Sequence, residues 1–249
     1  MMRSANPALN EKIFATRDIG GADEGVMTIQ GAVNKTGLML AILVAVAVIG
    51  WSKLSSAESM AEVMPWFWLG LVGGLVLAVI ITFKKTLAPV LAPGYAAVEG
   101  LLLGIISAMM EQIYPGIVVQ AVFLTFGTLG SLLVAYKTGL IKVTENFKLG
   151  VAAATGGIFA VYMIGWIMSF FGSGIPYIHE SGLIGIGFSL FVVVIASMNL
   201  VLDFDFIEEG ARRGAPKYME WYGAFGLIVT LVWLCIEILH LLAKLQSRR

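Results

Sequence analysis

The sequence predicts an all-α membrane protein, a bundle of seven transmembrane helices. Three observations carry that expectation. Of 249 residues, 59% are hydrophobic and only 13% charged, whereas a soluble domain is nearer half apolar and a quarter charged. Mean hydropathy is +0.90. The apolar residues fall in long runs, and about 20 apolar residues are what a helix needs to cross the hydrocarbon core.

Taken in order, residues 1–35 are polar and of mixed charge, and read as an N-terminal segment on the cytoplasmic side of the membrane. Residues 36–249 form the seven-helix domain. A secretory signal would place a short apolar core near the start, followed by a small-residue cleavage site, so the run from Thr36 reads as an uncleaved helix. The predicted spans are 36–52, 65–83, 94–113, 116–136, 149–171, 183–203 and 221–243. Turn signals separate them: "LAPVLAPG" before the third, "YPG" between the third and fourth, "FGSGIP" after the fifth. Small residues four apart (Gly70/Gly74, Gly100/Gly104, Gly127/Ser131, Gly185/Ser189) are the pattern that lets helix backbones approach closely in lipid.

Lysine and arginine in short loops set orientation. Lys84 and Lys85 follow the second helix, Lys137, Lys142 and Lys148 follow the fourth, and Arg212, Arg213 and Lys217 follow the sixth. The rule places those loops and the N-terminus in the cytoplasm. An odd helix count then puts the C-terminus outside, where Lys244, Arg248 and Arg249 run against the rule. A last helix that re-enters instead of crossing is the competing reading.

Several functions are excluded. A formal net charge of +0 offers nothing for nucleic acid. The single cysteine, Cys235, forms no intramolecular disulfide. There is no phosphate-binding glycine loop and no Cys/His spacing for zinc. The last helix has no mid-helix lysine to form a retinal Schiff base. "FGSG" (171–174) with His179 is a loop turn without an oriented base, so no enzyme and no cofactor is expected.

The candidates are the ionisable groups inside the apolar runs, because such groups are costly in lipid. Glu99, in "GYAAVEGLLLG", lies about 9 Å beyond Pro93 along a helix, too deep for a short side chain to reach water. It is either functional or one half of a polar pair that locks two helices, with a plain interfacial position as the competing reading. Asp203 ends the sixth helix, with Asn199 one turn earlier on its face. It reads either as a solvated helix end or as a buried switch. Asp205 points about 200° away from it and reads as part of the solvated cap with Glu208, Glu209, Arg212 and Arg213. Glu237, in "LVWLCIEILHLL", has His240 three residues on. That pair is either structural or able to titrate near neutral pH.

These stretches resemble a known family. "YAAVEGLLLG" (95–104) is similar to the third-helix motif of the transmembrane Bax inhibitor family. "LDFDFIEEG" (202–210) is similar to its Asp-x-x-x-Ile stretch ending the sixth helix. "LCIEILHLL" (234–242) resembles its last helix, with glutamate where the family has aspartate. The opening "RSANPALNEK" resembles the bacterial YccA-like branch. The resemblance implies a bundle of Bax inhibitor type with a central last helix, in a bacterial cytoplasmic membrane. It implies a pH-sensitive calcium leak, with protons and calcium ions as the regulating and transported species. An acid on the sixth helix and one on the seventh would share a hydrogen bond and sense protons. That role falls to Asp203 and Glu237, with calcium as their metal. Glu99 joins them as a further acid of the pathway, and Asn199, Asp205 and His240 as supporting residues. The alternative is a non-conducting regulator that binds a membrane protease or another membrane partner through residues 1–35. Asp203 and Glu237 meet only if "PKYMEWYGAFG" (216–226) lies along the membrane surface. Otherwise Glu99 is the partner to expect. Lys84 or Lys85 would supply the basic residue that the family pairs with its sixth-helix acid.

Overall fold

The structure, a computed structural model, describes residues 25–171 and 182–248. Among them are seven α-helices: α1 (Ile29–Ser55), α2 (Met60–Phe83), α3 (Ala88–Ile113), α4 (Ile117–Lys137), α5 (Glu145–Phe170), α6 (Leu183–Arg212) and α7 (Met219–Gln246). A single 3-10 turn, Lys85–Leu87, joins α2 to α3. All seven are long and apolar enough to cross a membrane. The last helix is one continuous element of 28 residues, long and apolar enough to cross in a single pass.

Helix α6 continues nine residues past Asp203 to Arg212, so Asp203 lies within the helix and does not end it. Two further boundaries differ from the sequence reading for identifiable reasons. Helix α1 begins at Ile29, not Thr36, because Thr28 caps it: its side-chain oxygen accepts from the Gly31 N–H at 2.9 Å. Helix α3 begins at Ala88 and runs straight through Pro93. Pro89 lies in its first turn, where the missing N–H has no partner to lose. The prolines of "LAPVLAPG" therefore start a helix and do not punctuate a turn.

Helix α7 is the centre of the bundle, packed against α1, α3, α4 and α6. Its most apolar window is 67% buried, against 11–17% for α1, α2, α4 and α5. In lipid the gain comes from close packing, since acyl chains are as apolar as the side chains. Glycine supplies that closeness between α1 and α3. A Cβ on Gly100 or Gly104 would strike the backbone of Leu43 or Ala47, and one on Gly50 would strike Leu101. On α2, Gly70 lies against Leu102 and Gly74 against Glu99. Gly127, by contrast, faces open space.

The basic turns gather at one end of the bundle, where polar contacts fix the elements. Buried Glu220 accepts from the Thr28 N–H and hydroxyl, both at 2.9 Å. It also pairs with Lys35 and, at 2.8 Å, with Lys217. The Met27 N–H adds a bond to the Ala215 carbonyl at 2.7 Å. The start of α1 is thus fastened to the α6–α7 turn, which Gly214 closes with φ 68°.

Helix α5 is held differently. Lys148 pairs with Asp205 at 3.0 Å, Thr155 accepts from Asn199 at 2.9 Å, and Tyr162 donates to Glu237 at 2.9 Å. The three α5 residues lie seven apart, on one face.

Leucine at Gly104 should therefore force α1 from α3 and cost about 1–3 kcal/mol, read as a lower unfolding temperature in detergent. Leucine at Gly127 should leave that temperature nearly unchanged. Equal effects of the two substitutions would contradict the packing described.

Candidate functional site

Asp203 is the most unusual group in the bundle. It is 2% exposed, and neither carboxyl oxygen has a hydrogen-bond partner among the described residues. It faces α7 at the level of Thr230. The Thr230 hydroxyl is directed to its own helix, donating to the Gly226 carbonyl at 3.2 Å. Asn199 turns away, toward Thr155 of α5 and the Ile195 carbonyl, each at 2.9 Å. Tyr222, nearer the basic end of α7, is also buried with an unpartnered hydroxyl. A buried polar group without a partner costs stability, and native proteins hold few of them.

Glu237 is buried too, at 4% exposure, but it is supported. Its Oε1 accepts from the Tyr162 hydroxyl at 2.9 Å and from the Trp233 indole N–H at 3.2 Å. Its Oε2 faces His240 Nδ1 at 3.9 Å. With α7 helical from Met219, Glu237 lies seven residues beyond Thr230, about 10 Å along the axis. Asp203 and Glu237 therefore stand at different depths and share no hydrogen bond. The surface-lying segment that would have joined them is the first two turns of α7 itself.

Glu99 does not take the vacant place. Its carboxyl lies beside the Tyr95 hydroxyl on its own helix and against Gly74 of α2. Asp205 is not a free solvated cap, because it carries the ion pair to Lys148. Glu208 accepts from Tyr136 of α4 at 2.7 Å, and Glu209 pairs with Arg212 and Arg213. Lys85, a candidate partner for Asp203, instead lies 5.6 Å from the centre of the Tyr222 ring. The "FGSG" motif past Phe171, and His179, lie outside the described residues, as does most of the N-terminal segment.

Sequence reasoning missed Glu220, the best-bonded acid of the bundle, and Tyr162, the donor to Glu237. Glu220 had one available signal, Lys217 a helical turn away. Tyr162 had none beyond its polar tip in an apolar run.

Among the described residues no group of three or more His, Cys, Asp or Glu side chains is placed to hold a metal ion. The arrangement instead offers a single naked carboxyl at the contact between α6 and the central helix. A family model described as Bax inhibitor 1 like matches residues 6–247. No curated protein matches the chain.

Replacing Asp203 with leucine, which has the same branching and is apolar, should stabilise the fold by about 1–3 kcal/mol, seen as a raised unfolding temperature in detergent. A drop would mean that the carboxyl has a structural partner.

Proposed function

Because the chain belongs to the Bax inhibitor 1 like family, we propose that it is a pH-sensitive cation leak with calcium as its principal ion, gated at Asp203. One observation carries the reading: a fully buried carboxyl with no hydrogen-bond partner among the described residues, the Thr230 hydroxyl beside it donating to its own helix, set where α6 meets the helix at the bundle's centre. Protonated, that carboxyl is a small neutral group that a tight helix contact can hold. Ionised, it must gain water, a cation or a parting of α6 from α7, since an unpaired charge in a dry contact is strongly unfavourable. Its oxygens are of the kind calcium accepts. Charging Asp203 therefore opens the contact and draws cations to it.

Glu237 and Glu99 are the further acids along the route in this reading. Each has its own neighbours, so each contributes independently of Asp203. The basic turns and the N-terminal segment face the cytoplasm, as the distribution of lysine and arginine favours.

Calcium flux into dye-loaded proteoliposomes tests the proposal. Flux should rise between pH 5 and pH 8. Asp203→Asn, which cannot ionise, should hold flux near its low-pH level throughout. Glu237→Gln should change the amount of flux but not the pH of half-opening, because the two acids are about 10 Å apart in height. No flux above empty liposomes at any pH would reject conduction. It would favour a partner-binding role for residues 1–35, as in a regulator of a membrane protease.

A further inference from the structure

At the end of the bundle away from the basic turns, α5, α6 and α7 enclose a cleft of about 570 Å³. That volume lies within the range of small-molecule sites. Glu237 sits in it, among Tyr162, Trp166, Phe188, Ser189 and Lys244. We propose that this cleft is a binding site for a small primary ammonium ion, either a free amine or the ethanolamine headgroup of a lipid.

The argument starts from the carboxyl. Oε1 of Glu237 is engaged by two neutral donors, the Tyr162 hydroxyl and the Trp233 indole. They supply hydrogen bonds but no positive charge. Among the described residues Oε2 has no donor at hydrogen-bond distance, and His240 Nδ1 is 3.9 Å away. His240 is itself half exposed, with 47% of its side chain accessible. Lys244 does not fill the gap. Its Nζ donates to the Gly185 carbonyl at 3.1 Å and to the Ser189 hydroxyl at 2.8 Å, which ties it to α6. It lies two turns along α7 from Glu237 and attracts that carboxylate across the cleft without bonding to Oε2, so a cation in direct contact with Oε2 feels the carboxylate more strongly than the ammonium.

The walls decide which cation. A metal ion of the calcium type takes six to eight oxygen ligands. Among the described lining residues Glu237 is the only carboxylate. Rings are plentiful instead. Tyr162 and Phe188 meet edge to face, with centroids 6.1 Å apart, and Trp166 lines the same space. One carboxylate among aromatic faces suits an organic ammonium, which gains cation–π attraction as well as a salt bridge. The unengaged oxygen calls for an N–H donor, so a primary ammonium fits better than a quaternary one. The cleft lies away from Asp203, and the inference does not require that the protein conducts.

Calorimetric titration of the full chain in detergent with ethanolamine tests it, with choline and calcium as comparators. Ethanolamine should bind saturably, choline at least tenfold more weakly. Glu237→Gln should weaken ethanolamine binding at least tenfold. Ala243→Phe, which fills the cleft without touching the carboxyl, should do the same and serves if the first variant fails to fold. In parallel, native mass spectrometry from nanodiscs of phosphatidylethanolamine and phosphatidylglycerol identifies the source. Retention of the ethanolamine lipid alone, lost on filling the cleft, assigns the site to a headgroup; binding of free ethanolamine without lipid retention assigns it to a soluble amine. Failure of both, or ethanolamine binding that survives Ala243→Phe, overturns the proposal. Binding is read without an ion gradient, so its failure leaves the leak at Asp203 standing, and absence of flux leaves the cleft standing.

Discussion

The bundle depends on the burial of α7. A helix surrounded by four others in a bilayer has no water to satisfy its polar groups, so each must be met inside the protein. Glu220 is met by Thr28, Lys35 and Lys217. Thr230 is met by its own backbone. Glu237 is met by Tyr162 and Trp233. The arrangements at Glu220 and Glu237 recruit α1 and α5 into the packing and fix how far along α7 each one sits. The apolar remainder of α7 then packs wherever glycine lets backbones come close, and α1 against α3 is the clearest case.

Asp203 stands apart against that background. It faces the same central helix and is as buried as its fellow acids, yet among the described residues no donor is turned to it, the nearby Thr230 hydroxyl being given to its own helix. Glu220 and Glu237 show that this sequence readily supplies donors to buried carboxylates. An acid left bare in the same surroundings is a cost retained for another reason, and strain or unpaired polarity kept in this way gathers at functional positions. The contrast among acids of one molecule supports a gating role more directly than burial by itself.

Much of the architecture was legible in the sequence, because a bilayer imposes a length on every crossing segment and the apolar runs display it. The family resemblance was carried by stretches on α3, α6 and α7 that the structure brings together around the centre. The acids were legible as candidates for the same reason, their cost in lipid. Their partners were not. Whether Asp203 meets Glu237 depends on the depth at which α7 begins, and that depth is fixed by Gly214 and the bonds around Glu220, contacts between residues almost 200 positions apart in the chain. Asp205 was read as a cap because helix rotation alone does not reveal Lys148 on a neighbouring helix. The prolines early in α3 misled because proline is at home both in a turn and in a first helical turn, where Pro89 sits.

The stripe on α5 has a consequence for how that helix can move. Lys148, Thr155 and Tyr162 repeat every seven residues, and each takes its own distinct partner, a carboxylate, an amide and a second carboxylate. A slide of α5 by one turn would misalign all three at once, and no half-way position would keep any of them. Lipid, for its part, exerts no preference along a uniformly apolar helix. The stripe therefore works as a three-toothed rack: α5 is either engaged in a single register or wholly disengaged, and its docking onto the bundle is a discrete event and not a graded one.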